Sequence, residues 1–263
     1  MTDAVRLLVR ADDAGSSWSS NIGCMQACSD GIARSVEVMI PGPWVTHAAQ
    51  VLNACPDIDV GIHLTLTSEW DAVRWRPLTY APSLVDADGY FLPLLMLRDG
   101  DARPCLAHHD WSLEEIAAEC AAQIELGRRM FRNATHISCH MTQHFKLLDP
   151  RLGSVIAELC AKYGLRDDAF GYGLPRFQGY PPQPRETDAR VHAFLAQLEA
   201  LTPGTYVFID HPAVASPELA ATGHAGYRDV LADRTTCLQV LTDRAVKERI
   251  EALGIELISY ADL

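Results

Sequence analysis

The sequence has no uninterrupted apolar run of the roughly 18 residues that a membrane-spanning helix needs. Its first residues, Met1-Thr2-Asp3-Ala4, carry neither the basic start nor the apolar stretch of a secretory signal. A cytoplasmic protein without a membrane partner is the expectation. Basic residues are few, with 22 Lys and Arg against 34 Asp and Glu and a net charge of −12. That surface repels phosphate backbones, so nucleic acid is not an expected partner, and a small neutral or cationic substrate fits better. The eight cysteines form no C-x-x-C pair. They read as reduced thiols, several of them in helices (Cys24, Cys28, Cys120, Cys160), and not as a structural zinc site. No G-x-G-x-x-G and no G-x-x-x-x-G-K-S/T follows the first β-like run, which argues against dinucleotide and P-loop chemistry.

What is present is an alternation. Short β-rich runs fall at residues 5–10, 36–40, 58–66, 135–139, 165–170, 205–210 and 255–259. Helical patterns lie between most of them, at residues 19–31, 44–53, 112–131, 150–163, 188–201 and 243–253. Ser112 with Glu115 three residues later predicts a capping box, and Pro150 and Gly164 bracket a helix. Residues 171–184 are rich in Gly and Pro and read as a loop. A long irregular excursion covers residues 67–110. About seven β/α repeats without a linker predict one domain over residues 1–263, built on a mainly parallel sheet. At this length a closed or nearly closed barrel is favoured over an open doubly wound sheet.

In such a fold the carboxyl ends of all strands meet at one mouth. The first strand ends in Asp12-Asp13, the third carries His63, the fourth ends at His140, and the sixth ends in Asp210-His211-Pro212. These polar residues are distant in sequence and are expected to converge. Adjacent carboxylates repel, and a bound cation relieves that. One carboxylate with two imidazoles leaves positions open for water and substrate, as a catalytic metal site does. Nitrogen donors favour zinc over magnesium, which prefers oxygen. The other carboxylate of the pair is then placed to act as a base, and His211 at the opposite rim to act as an acid. His136 shares a strand face with His140, and His144 follows four residues later, so each is a further candidate for the site. His47, His108, His109, His192 and His224 read as surface or loop residues. The excursion carries Trp70, Trp75, Tyr80, Tyr90 and Phe91, which serve equally as a sugar-stacking lid or as packing. The excursion follows the strand carrying His63, so it is expected to shape the substrate pocket, with Glu69 and Arg74 in reach of hydroxyl groups, and not to hold the barrel together.

Four segments resemble the YdjC-like carbohydrate deacetylase family: Ala11-Asp12-Asp13-Ala14-Gly15 with Asn21, Val60-Gly61-Ile62-His63-Leu64-Thr65-Leu66-Thr67, Thr135-His136-Ile137-Ser138-Cys139-His140, and Asp210-His211-Pro212. The ending Gly254-Ile255-Glu256-Leu257-Ile258-Ser259-Tyr260 is similar too. The resemblance runs in order along nearly the whole chain. It implies a distorted seven-stranded β/α (TIM-like) barrel, compatible with a homodimer, that removes acetyl groups from N-acetylated sugars such as chitin oligosaccharides. It implies that Asp13, His63 and His140 hold one divalent metal, with Asp12 as base and His211 as acid, and it admits magnesium beside zinc. Three departures touch the site: Ala14 stands where an aromatic is usual, Ser138 where an acidic residue is usual, and Met141-Thr142-Gln143 where a more histidine-rich run is usual. Two other functions fit the same strand-end residues. One is a metal-dependent barrel isomerase or aldolase, for which Lys146 and Lys162 are poorly placed as a base. The other is a non-catalytic carbohydrate-binding barrel.

Overall fold

A computed structural model describes residues 4–168 and 173–263. Its elements alternate as the sequence predicts: β1 (Val5–Ala14), α1 (Trp18–Ser29), β2 (Ser35–Val38), α2 (Val45–Leu52), β3 (Asp59–Leu64), α3 (Leu113–Met130), β4 (Ala134–Cys139), α4 (Pro150–Tyr163), β5 (Arg166–Asp167), α5 (Thr187–Glu199), β6 (Gly204–Asp210), α6 (Pro217–Ala220), α7 (Val230–Thr242), α8 (Arg244–Ala252) and β7 (Glu256–Ile258). The strand predicted at 165–170 is observed only at Arg166–Asp167; its last two residues, and the first two of the loop predicted at 171–184, lie outside the described residues.

All strand pairings are parallel, and the sheet runs in the order β5-β4-β3-β2-β1-β6. The sheet is a curled half-barrel and not a closed one, which corrects the expected closure. Closure requires a continuous ladder around the whole circuit. Here β5 contributes two residues. The last strand does not bridge the remaining gap. Arg6, Leu7 and Leu8 pair with both β6 and β7. Since a strand has two edges, β7 occupies the lower part of the β1 edge whose upper part, from Arg10 to Ala14, belongs to β2. The outer edge of β6 is covered instead by an irregular segment, through Phe177 N to Val207 O (2.9 Å) and Val207 N to Pro175 O (3.0 Å).

The helices cover the sheet with apolar faces, and one buried cluster takes Leu7 and Val9 from β1, Ile62 from β3, Ile124 from α3, Ile156 from α4, Phe194 from α5 and Ile250 from α8. Each such side chain contributes on the order of 1.5–3 kcal/mol by leaving water. Two helices were missed by periodicity, the four-residue α6 and the longer α7. Helix α7 buries Val230, Arg234, Thr236, Cys237, Leu238, Val240 and Leu241, so it shows no one-sided apolar stripe and reads as loop. The Ser112 cap is present, accepting Glu115 N at 3.2 Å. The predicted box is only half formed, because the Glu115 carboxylate accepts from Ser83 N (2.8 Å) and Ser83 Oγ (2.7 Å) instead of returning to Ser112.

That contact belongs to the way the 67–110 excursion is held. Glu119, the next acidic residue along α3, accepts from Leu78 N (3.0 Å) and from Thr79 N (2.9 Å). Trp70, Trp75, Leu84, Phe91, Leu92 and Leu95 all join the buried cluster. The excursion is thus part of the core, against the expectation that it only shapes a pocket.

Candidate functional site

In a regular strand, successive side chains point to opposite faces, so Asp12 and Asp13 should diverge. They do not, because the ladder to β2 is interrupted between Ala11 and Ala14 and Asp13 takes a left-handed backbone, φ 72°. Such a conformation is uncommon outside glycine and clusters at functional sites. Gly15 follows with φ 90°, where a side chain's Cβ would come within 2.5 Å of Met39 O. Asn21 on α1 fastens this turn by accepting Gly15 N at 2.6 Å. The end of β3 is gripped similarly: Gln123 on α3 accepts Thr65 N (2.9 Å) and donates to Thr65 O (2.8 Å). His140 N bonds Leu64 O at 2.9 Å, which sets the end of β4 beside the end of β3.

These constraints bring Asp12, Asp13, His63 and His140 together, all buried. Asp13 Oδ1 lies 3.2 Å from His140 Nδ1 and 3.9 Å from His63 Nε2. Asp12 Oδ2 lies 3.8 Å from His63 Nε2. Asp13, His63 and His140 each offer one donor atom, all within 4.8 Å of one another. Among the described residues, Asp13 Oδ1 is buried and takes no well-formed hydrogen bond. A buried carboxylate oxygen in that state is costly unless a cation satisfies it, so the residues fit a metal. Both remote imidazole nitrogens are fixed, as metal-binding histidines require: His140 Nε2 by Glu69 Oε2 at 3.1 Å and His63 Nδ1 by Ser138 Oγ at 2.6 Å.

Two arginines steady the carboxylates. Arg10 donates through Nε and Nη2 to the two oxygens of Asp12, both at 2.7 Å, and its Nη1 reaches Asp168. Arg234 Nη2 donates to Asp13 Oδ2 at 2.8 Å. Burial alone would raise the Asp13 carboxyl, but Arg234, His211 and His140 outweigh it and hold it well below its ordinary range. Burial pulls the two imidazoles down, and their neighbours then separate them. His63, with His140 and Arg10 adding to burial, falls to about 4, whereas the carboxylates of Glu69 and Asp13 drive His140 to about 10. His211 stands at the rim with its side chain 41 % exposed, and its Nε2 is 4.0 Å from Asp13 Oδ2. Burial lowers it too, but Asp13 and its hydrogen bond to Asp210 prevail, and the net shift is upward.

The cluster opens into a cavity of ≈ 660 Å³. All five residues expected at the site line it. His136 does not, being paired with Glu37 at 2.7 Å below the site. His144 lies outside the donor cluster as well, its Nδ1 accepting Lys146 N at 2.9 Å. His224, read as a loop residue, proves to be a wall residue beside Tyr227. Trp70 also lines the cavity but is buried against protein, with His224 stacked at 6.0 Å, Tyr227 at 5.8 Å and Arg234 over the ring at 5.3 Å. Trp75 sets its edge against His140 at 6.4 Å, Tyr80 points to solvent, and Arg74 pairs with Asp86 at 2.7 Å. Of the residues expected to contact substrate, Trp75 and Arg74 do not line the cavity, whereas Glu69 lines it with its carboxylate on His140. Of the residues that sequence reasoning missed, Arg10 carried a signal, since it lies two before Asp12 on the same strand face. Arg234 carried none.

The fold and these side chains define an α/β half-barrel protein with a buried histidine–carboxylate cluster at its strand ends. The chain belongs to the YdjC-like protein family, whose model matches residues 6–252. It is 30 % identical to a carbohydrate deacetylase of Thermus thermophilus, over 93 % of this chain and 94 % of that one. It is 27 % identical to a chitooligosaccharide deacetylase of Escherichia fergusonii, over 98 % of each. Among solved structures it resembles a protein of Enterococcus faecalis V583, provisionally named a cellobiose-phosphate cleavage protein, with a TM-score of 0.76, 23 % identity and 98 % of each chain covered. The catalytic domain of a peptidoglycan N-acetylglucosamine deacetylase from Eubacterium rectale is more distant, at a TM-score of 0.50 and 9 % identity, with 98 % of this chain and 92 % of that one covered. No helix among the described residues is long and apolar enough to cross a membrane.

Proposed function

We propose that this chain is a metal-dependent amide hydrolase that removes the acetyl group from an N-acetylated sugar or oligosaccharide. The observation that carries the reading is the unsatisfied Asp13 Oδ1 facing His63 and His140, with a held carboxylate on one side and an open histidine on the other. The named activities of the relatives supply the substrate class. Asp13, His63 and His140 would hold the ion, and two imidazoles favour zinc over magnesium. When bound, the ion supplies Lewis-acid chemistry.

The protein's own groups do the rest. Arg10 uses one lone pair on each Asp12 oxygen, which leaves Asp12 able to accept a proton from the attacking water. His211, raised in pKa, gives a proton to the sugar nitrogen as the C–N bond breaks. Acetate and the free amine leave. Among the described residues no lysine lines the cavity, which disfavours the enediolate alternative. We place the enzyme in the cytoplasm, where its eight free thiols remain reduced. The test is acetate release from N-acetylated chitooligosaccharides by chelator-stripped protein, with and without added zinc. Zinc-dependent release that is lost in His140→Ala together with the metal supports the reading. Stoichiometric zinc binding with no release from any N-acetylated sugar overturns it.

A further inference from the structure

The two candidate metal-binding histidines are braced differently. His140 meets a carboxylate directly, through Glu69. His63 Nδ1 meets a hydroxyl, Ser138 Oγ, at 2.6 Å. A serine hydroxyl has one hydrogen to give, and Ser138 gives it to Glu37 Oε2. Ser138 Oγ must therefore accept from His63, so His63 carries its proton on Nδ1 and turns a bare Nε2 toward Asp12 and Asp13. Glu37 comes from β2 and Ser138 from β4, with β3 between them. The reach across is possible because Glu37, Gly61 and His136 are in register and Gly61 has no side chain. A Cβ there would collide with the Glu37 carboxylate. Glu37 is fully buried, and its other oxygen, Oε1, pairs with His136 Nε2 at 2.7 Å. A glutamate present only as the partner of His136 would have no use for Ser138.

We propose that Glu37 is a positioning residue of the metal site, acting through Ser138 to fix the tautomer and orientation of His63. The chain His63–Ser138–Glu37 does for His63 what Glu69 does directly for His140. This inference rests on the reading of Asp13, His63 and His140 as metal ligands.

The experiment measures zinc affinity by competition with a chromophoric chelator in wild type, Ser138→Ala, Glu37→Gln, the double variant and His63→Ala. The tautomer of His63 is read by 15N NMR on the metal-free proteins. Ser138→Ala leaves the Glu37–His136 pair in place, so a purely structural role predicts no change in affinity. Loss of the brace instead predicts affinity about 10–100-fold weaker in Ser138→Ala and in Glu37→Gln, the usual effect of removing such a partner. The double variant should lose no more than the larger single loss, because both cut one chain. Adding Ser138→Asp to Glu37→Gln should restore most of the affinity. Wild-type His63 should be the Nδ1–H tautomer, and Ser138→Ala should mix the two forms. If Glu37→Gln does not fold, Ser138→Ala decides alone. Zinc affinity and tautomer both unchanged in Ser138→Ala overturn the brace while leaving the metal reading intact. Zinc binding equal in wild type and His63→Ala overturns the metal reading itself.

Discussion

Trp70→Ala separates a stacking lid from a structural prop. Trp70 is 6 % exposed and sits among His224, Tyr227 and Arg234. Truncating a buried tryptophan costs about 3–5 kcal/mol, as lost transfer energy plus the cavity left behind. For a domain of this size each kcal/mol lowers Tm by about 2–4 °C, so the variant should melt roughly 6–20 °C below wild type. A second effect follows from Arg234, which rests on the Trp70 ring and holds Asp13 Oδ2 at 2.8 Å. Without the ring Arg234 gains freedom, Asp13 loses its fixed geometry, and kcat should fall even where the protein is folded. Thermal melting by circular dichroism, with steady-state acetate release well below the new Tm, measures both. A Tm within about 3 °C of wild type, with a raised KM and unchanged kcat, would refute the reasoning and return Trp70 to the role of sugar platform.

Asp12→Asn keeps the shape and removes the base; acetate release should drop roughly 100-fold or more with metal content unchanged, and full activity would remove Asp12 from the mechanism. Gly61→Ala should be among the most damaging single-methyl additions in the chain, because it drives the Glu37 carboxylate off His136 and Ser138. Breaking a buried pair this way costs about 3–5 kcal/mol, and a denaturation midpoint equal to wild type would contradict it. The same pair predicts a pH dependence of stability. Burial raises the Glu37 carboxyl, but His136 and Arg10 outweigh it and hold it low, so its contribution is complete above the ordinary value of 4.5 and lost on acidification. Burial lowers His136, but Glu37 and Asp59 outweigh it and raise it, so its contribution is complete below 6.5 and lost as pH rises through the higher folded value. Urea midpoints should therefore be higher near about pH 6 than near about pH 9, and the difference should shrink in His136→Gln; an unchanged difference would show that other groups carry it.

The sequence alone determined the alternation of strands and helices and the convergence of Asp12, Asp13, His63, His140 and His211. Both follow from local rules. A strand or helix buried on one face leaves a readable period, and parallel β/α units put every strand's carboxyl end at one mouth, so polar residues at those ends must meet. Tertiary structure alone decided the rest. Helix α7 buries the polar Arg234 and Thr236 among its apolar residues, so no apolar period marked it, and with it Arg234 stayed hidden. The half-barrel is open because β7 pairs along β1, a choice of partner between segments some 250 residues apart that no local pattern encodes. Glu69 and Trp70 face inward, to His140 and Arg234, because the excursion folds back onto the core, so the composition that reads equally well as a sugar platform serves as packing. Asp13 stands beside Asp12 through a left-handed residue at a break in the ladder, a local conformation that only the surrounding contacts can hold in place.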